Sequence, residues 1–137
     1  MIIGYTTGVY DLFHVGHVNL LRNARALCDK LIVGVTVDEL VSYKNKSCVI
    51  PFRDRIEVVR ACKYVDVAIP QMSVNKVEAV AKLKVNLLFV GDDWYASESW
   101  DLMETKLAAM GCQITYFPYT SSVSSTLINS ALTDLRA

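Results

Sequence analysis

The sequence predicts an α/β fold: five parallel strands in one sheet, with helices on both faces. Three observations lead there. Short apolar runs alternate with amphipathic stretches along most of the chain. Runs such as KLIVGVTV at 30–37 read as a buried-type strand rich in β-branched residues, as a strand covered on both faces requires. The most polar and glycine-punctuated connections, TGVYDLFHVGH, GDDWYA and YTSSVSST, all come directly after strands. In open parallel sheets ligands bind beyond the carboxyl ends of the strands, near the point where strand order reverses, so these three connections are expected to meet at one edge.

Each element has its own signal. MIIGYTT (1–7) reads as the first strand. HVNLLRNARALC (17–28) places Leu20, Leu21, Ala24 and Leu27 on one helical face. The second strand, 30–37, is followed by VDELVSYK, where Asp38 is expected to cap a helix. NKSCVI (45–50) breaks periodicity and reads as a loop. Pro51 suits the first turn of the helix that FRDRIEVVRACK continues. VDVAIP (65–70) is the third strand, with Pro70 as its stop. NKVEAVAKLK (75–84) is helical, and VNLLFVG (85–91) is the fourth strand, ended by Gly91. SWDLMETKLAAMG (99–111) is a helix with Gly111 as its stop. CQITYFP (112–118) is the fifth strand, and a last helix is expected over about 123–135.

Composition bounds the function. With 137 residues, a single domain over 1–137 is expected, long enough to bury a core without staples. Formal net charge is zero, so nothing points to nucleic acid. No apolar run reaches membrane-span length, and the start lacks a basic n-region and long h-region, so neither a membrane partner nor a signal peptide is expected. Cys28, Cys48, Cys62 and Cys112 are far apart and form no CxxC pair, which argues against a zinc or dithiol site and for reduced thiols in a cytoplasmic protein.

The stretch GVYDLFHVGHVNLL (8–21) carries the strongest chemical signal. His14 and His17 lie three apart, with Gly16 between them. A shared metal would need more convergent ligands than Asp11, the one carboxylate nearby, so no metal ligands are assigned. Two structural histidines are a second reading. Phosphate handling fits the surroundings best: Gly8 follows a strand, Gly16 allows close approach before a helix, and a helix start offers N–H groups to an anion. Two imidazoles add donors to charge building on a phosphoryl group.

These residues resemble a known family. HVGH after a first strand looks like the HxGH signature of a nucleotidyltransferase superfamily with a Rossmann-like fold. The longer stretch resembles the GTFDLLHxGH form of the cytidylyltransferase branch. VDEL (37–40), Lys44, Lys46, Arg55, KYVD (63–66) and GDDW (91–94) follow in the family's order, and TSSVSST (120–126) resembles its closing RTxGISTT. HxGH together with GDDW is similar to the glycerol-3-phosphate cytidylyltransferases. The resemblance implies attack of a substrate phosphate on the α-phosphate of CTP, with pyrophosphate leaving. For sn-glycerol 3-phosphate the product is CDP-glycerol, which would feed a teichoic-acid-like or capsular polymer.

The resemblance also implies roles. His14, His17, Lys44 and Lys46 are the catalytic group, with Lys44 toward the acceptor and Lys46 toward the triphosphate. Thr7, Gly8, Val9, Tyr10, Asp11 and Gly16 belong to the nucleotide segment that carries the histidines. Arg55, Lys63, Gly91, Asp92, Asp93 and Trp94 are further nucleotide positions, as are Tyr119, Thr120, Val123, Ser124, Ser125 and Thr126. Asp11, Lys44 and Lys76 are acceptor positions. Mg²⁺ arrives with the triphosphate, and the family forms homodimers.

The plainer readings remain beside these. GDDW makes a simple turn, Arg55 a surface helix charge, and the loop lysines solvated charges. SSVSST reads as a flexible loop or a helix cap. The chain departs from the family pattern at Val9 for threonine, Tyr10 for phenylalanine, Lys63 and Tyr119 for arginines, and Ser122 for glycine. An arginine binds phosphate through a bidentate fork that lysine and tyrosine lack. The alternatives are transfer to phosphocholine, phosphoethanolamine or a sugar phosphate, use of ATP, and non-catalytic nucleotide binding.

Overall fold

The computed structural model describes residues 1–43, 48–91 and 98–117. The elements run β1 (Ile3–Gly8), α1 (Val15–Ala26), β2 (Lys30–Thr36), α2 (Asp38–Tyr43), α3 (Phe52–Ala61), β3 (Val67–Gln71), α4 (Lys76–Leu83), β4 (Leu87–Gly91), α5 (Glu98–Ala109) and β5 (Gln113–Phe117). The five strands form one parallel sheet in the order β3-β2-β1-β4-β5. This is the predicted Rossmann-like sheet. The expected last helix, about 123–135, lies outside the described residues. No helix among the described residues is long and apolar enough to cross a membrane.

Strand side chains alternate between two cores, one on each face. Leu31, Val33, Val35 and Phe89 pack with Leu21 and Ala24 of α1 and Ile56 and Val59 of α3. Tyr5, Ile32, Leu88 and Val90 pack with Val80 of α4 and Leu107 of α5. Cys28 and Cys112 are buried, one in each core, and all four cysteines are unpaired.

Three expectations change. Pro70 does not stop β3 but sits inside it, opposite Val35. β3 is an edge strand, and an edge tolerates a residue that cannot donate to a second neighbour. Asp38 does not cap the helix it opens. Its carboxylate accepts instead from the Phe52 amide at 3.0 Å, supplying the start of α3 with the acceptor that Pro51, the N-cap, lacks. The first helix begins at Val15, two residues before the expected start, because His14 is its N-cap.

The chain leaves β1 toward β2 and β3, then crosses to β4 and β5 on the other side. Strand order therefore reverses between β1 and β4. Their pairing ends at Thr6 opposite Phe89, where the Thr6 hydroxyl donates to the Phe89 carbonyl at 3.1 Å, while β4 continues to Gly91 beside β5. A fork opens at this point between the carboxyl ends of the two central strands.

Candidate active site at the fork between β1 and β4

A pocket of about 220 Å³ occupies the fork. Thr6, Thr7, Gly8, Val9 and Tyr10 line it from β1 and the turn that follows, and His17 and Leu20 from α1. Phe89 and Val90 close it from β4, and Lys76 from the start of α4. Glycine at position 8 is a steric requirement, since a Cβ there would lie 2.9 Å from the Tyr10 ring. The turn is tight: Tyr10 and Leu12 both hold positive φ, at 56° and 51°, a conformation that costs non-glycine residues energy. Tyr10 offsets that cost by burying its ring in the core. Burial also pushes its phenol pKa up, so it stays protonated.

The two histidines build the start of α1. His14 is its N-cap, and its Nδ1 accepts from the Gly16 amide at 3.0 Å. The Nδ1 of His17 accepts in turn from the His14 amide at 3.1 Å. This is a capping box made of imidazoles in place of the usual hydroxyl and carboxamide or carboxylate. Because both Nδ1 atoms accept amide protons, each neutral ring carries its own proton on Nε2. Burial, then the neighbouring His14, drives the His17 pKa down to about 4, against a smaller opposing pull from Asp11. Burial lowers His14 as well. At neutral pH the pair is two uncharged donors with ring centroids 4.0 Å apart. The Nε2 of His14 is buried without a hydrogen-bond partner among the described residues, an arrangement that suits a bound acceptor atom.

Lys76 reaches the pocket from the opposite face, its Nζ 2.9 Å from the Thr7 hydroxyl. Thr7, Gly8, Val9, Tyr10, Gly16, His14, His17 and Lys76 thus gather around the pocket mouth and the start of α1. Gly91 ends β4, paired with Phe117. Lys44, Lys46, Asp92, Asp93, Trp94, Tyr119, Thr120, Val123, Ser124, Ser125 and Thr126 lie outside the described residues. Among the described residues no cluster of three or more histidine, cysteine or carboxylate side chains is placed to hold a metal.

Three expected ligand residues have other engagements. Asp11 is 9% exposed, and its two carboxylate oxygens accept from the Val49 and Ile50 amides at 2.8 and 3.0 Å. It fastens the histidine turn to the segment before α3. Arg55 is not a surface charge. Its side chain is fully buried, and its guanidinium donates to the carbonyls of Ile50, Val9 and Thr36 and to Asp38. Lys63 precedes β3, and the neighbouring Asp66 bonds Leu31 near the start of β2. Within the chain it therefore sits at the amino edge of the sheet, away from the pocket, with its ammonium over the Tyr64 ring.

Sequence reading missed Thr6, Leu20, Phe89 and Val90 in the pocket wall and Thr36 beneath the turn. Arg55 did carry a signal, because Phe52, Arg55, Ile56 and Val59 share the i, i+3, i+4, i+7 stripe that faces the core.

The arrangement combines neutral donors, a cation and a glycine-lined strand end around one crevice, as phosphate chemistry requires. Comparisons with known proteins identify the family. The lipopolysaccharide core biosynthesis protein from Thermoplasma volcanium GSS1 superposes with a TM-score of 0.72 at 25% identity, over 88% of this chain and 97% of that one. A glycerol-3-phosphate cytidylyltransferase of Staphylococcus aureus (strain NCTC 8325 / PS 47) is 34% identical over 93% of this chain and 92% of its own length. An FAD synthase of Archaeoglobus fulgidus (strain ATCC 49558 / DSM 4304 / JCM 9628 / NBRC 100126 / VC-16) is 35% identical over 79% of this chain and 78% of its own. The Cytidylyltransferase-like family model matches residues 5–131, and with the histidine pair at the fork of such a sheet, the chain belongs to that family of nucleotidyltransferases.

Proposed function

We propose that this enzyme transfers the cytidylyl group of CTP to sn-glycerol 3-phosphate, giving CDP-glycerol and pyrophosphate. The observation that carries the phosphoryl-transfer reading is the pair of neutral histidines beside the pocket at the fork between β1 and β4. Similarity to glycerol-3-phosphate cytidylyltransferases over 93% and 95% of the chain supports the choice of substrates.

In this mechanism an acceptor phosphate oxygen attacks the α-phosphorus of CTP. The bond from that phosphorus to the bridging oxygen breaks, and pyrophosphate leaves with the electron pair. Both partners are anions, so positioning and charge stabilisation account for most of the catalysis. The Nε2–H groups of His14 and His17 donate to charge growing on the phosphoryl oxygens. Lys76, with Lys44, neutralises the acceptor phosphate, and Lys46 the triphosphate. By the family resemblance, Asp92, Asp93 and Trp94 serve base and ribose, and Tyr119, Thr120, Val123, Ser124, Ser125 and Thr126 serve the triphosphate. Mg²⁺ enters with the nucleotide as part of the substrate and needs few protein ligands.

The 137 residues act as one domain in a cytoplasmic homodimer whose product feeds a teichoic-acid-like or capsular polymer. Exposed Met72 and Val74, just beyond the edge strand β3, support a dimer.

The second reading is adenylyl transfer to another phosphorylated acceptor, favoured by the FAD synthase relatives and by Tyr119 in place of an arginine. Pyrophosphate release decides between them. CTP, ATP, GTP and UTP are each paired with glycerol 3-phosphate, phosphocholine, phosphoethanolamine, sugar phosphates and FMN. Fastest turnover with CTP and glycerol 3-phosphate is expected. Preference for ATP and FMN overturns the substrate assignment, and no turnover with any pair leaves a nucleotide-binding protein.

A further inference from the structure

We infer that Arg55, together with Thr36, is a positioning residue that turns two successive peptides of the histidine turn so that the Val9 and Tyr10 amides form an anion hole for a phosphate. The inference rests on the phosphate chemistry proposed above and assigns Arg55 a role without substrate contact.

The argument starts from carbonyls. The Thr36 hydroxyl, at the end of β2, lies 3.2 Å from the Gly8 carbonyl and 2.6 Å from the Gln71 side-chain oxygen. One hydroxyl proton cannot serve two acceptors. Exchanging the oxygen and nitrogen of the Gln71 amide resolves this: Gln71 then donates to Thr36, and Thr36 donates to Gly8. The next carbonyl along, that of Val9, accepts from Arg55 Nη1 at 2.6 Å. Both carbonyls are therefore held toward β2 and α3.

No peptide here is cis, and in a trans peptide the N–H points opposite to its carbonyl. The Gly8 carbonyl faces β2, so the Val9 N–H faces away from β2, on the β4 side of β1. That side is the fork, where Val9 and Tyr10 line the pocket with Phe89 and Val90. The Val9 carbonyl faces Arg55, so the Tyr10 N–H faces away from it. Two adjacent amide dipoles then present their positive ends on the ligand side, and pre-set dipoles stabilise charge at no reorganisation cost.

Arg55 is well held for this task. Its Nη1 also donates to the Thr36 carbonyl at 2.8 Å, its Nε to the Ile50 carbonyl at 2.9 Å, and its Nη2 to Asp38 at 2.6 Å. Asp38 is anchored in turn by the Phe52 amide. The planar fork thus fixes β1, β2 and the start of α3 relative to one another. Lysine, a point charge with three rotatable donors, cannot hold all four contacts.

The test uses inorganic tripolyphosphate as probe and amide ¹⁵N shifts as readout, so it needs no assumption about the nucleotide. In the wild-type protein the Val9 and Tyr10 amides and the His14 and His17 Nε2 signals should all respond to tripolyphosphate. In Arg55→Lys the two amide responses should be lost and the Kd should rise about ten-fold, while the imidazole responses persist. Thr36→Val, which removes one hydroxyl from a side chain of similar shape, should abolish the Val9 response alone and serves if Arg55→Lys fails to fold. Amides that stay silent in the wild type, or respond unchanged in the variants, overturn the inference. Loss of amide and imidazole responses together overturns it as well, since it marks general damage. Failure of the wild type to use CTP with glycerol 3-phosphate would instead overturn the substrate reading and leave the amide responses standing.

Discussion

The His17 ring accepts the His14 amide proton while the His14 ring accepts that of Gly16, so the two histidines hold the helix start that holds them. In the proposed mechanism, catalysis and folding thus share the same pair of rings. The nitrogen nearer the backbone caps α1, and the far nitrogen is left as a donor for ligand. Exposed cleft histidines would leave stability untouched on replacement, but these are part of a cap, and His17 is mostly buried.

Replacement of either histidine by alanine should lower kcat about 10²-fold, the scale for removing one donor to transition-state charge. It should also cost about 1 kcal/mol of stability through the lost cap. His14→Asn and His17→Asn separate the two roles, because an amide oxygen can still accept the backbone proton. Both should keep a melting temperature near that of the wild type and lose turnover as alanine does. Turnover near wild type in the asparagine variants would remove the histidines from the chemistry.

Stability should fall in mild acid. The folded His17 holds its proton less tightly than an unfolded histidine, with a pKa near 4 against 6.5. Between those values the unfolded chain binds more protons, so the contribution is full above about pH 6.5 and is lost as the pH drops toward 4. The added proton must go to Nδ1, where it displaces the His14 amide. The melting temperature should drop by about 5 °C from pH 7 to pH 5, and His17→Asn should flatten that slope. Equal slopes in the two proteins would assign the acid sensitivity to other groups.

Much of this was legible in the sequence, and the reason is periodicity. Strands buried on both faces, such as β2 between Lys30 and Thr36, read as apolar runs without polar alternation, and α1 shows its face through Leu20, Leu21 and Ala24. The histidines next to Gly16 marked the start of α1 beside the pocket, because a strand end followed by glycine and a helical pattern points to a helix start at the carboxyl edge of the sheet. Long-range polar pairing was not legible. Nothing local in the sequence tells that Asp38 caps a helix starting fourteen residues on, or that Arg55 bonds a carbonyl 46 residues back. Pro70 read as a strand stop because sequence does not show which strand is an edge.

Gly8→Ala should damage site and fold together. The added methyl would lie 2.9 and 3.0 Å from two atoms of the Tyr10 ring, which is 5% exposed and has little room to move. Overpacking of this kind costs about 1–3 kcal/mol. Any shift of Tyr10 also disturbs His17, whose ring meets it edge-on at 5.3 Å. A melting temperature several degrees lower and a kcat reduced at least several-fold are expected. An unchanged variant would mean that the ring relocates freely and does not fix His17.

Lys76 offers the sharpest separation of the two substrates. It opens α4 directly after the N-cap Asn75 and meets the Thr7 hydroxyl across the pocket from α1. The histidines approach from one side of the sheet and this cation from the other, so the two groups suit opposite partners of an in-line displacement. With the histidines on the nucleotide, Lys76 faces the incoming acceptor. Lys76→Met keeps most of the length and removes the charge. A charge-assisted contact contributes about 1.5–3 kcal/mol, so the KM for glycerol 3-phosphate should rise about 10- to 100-fold while that for CTP changes little. Thr7→Val should have a smaller effect in the same direction, because the ammonium keeps its charge and loses only an orienting partner. Steady-state kinetics with each substrate varied in turn checks both. A rise in the CTP KM matching that of the acceptor would move Lys76 to the triphosphate and leave the acceptor phosphate to the lysines at 44 and 46.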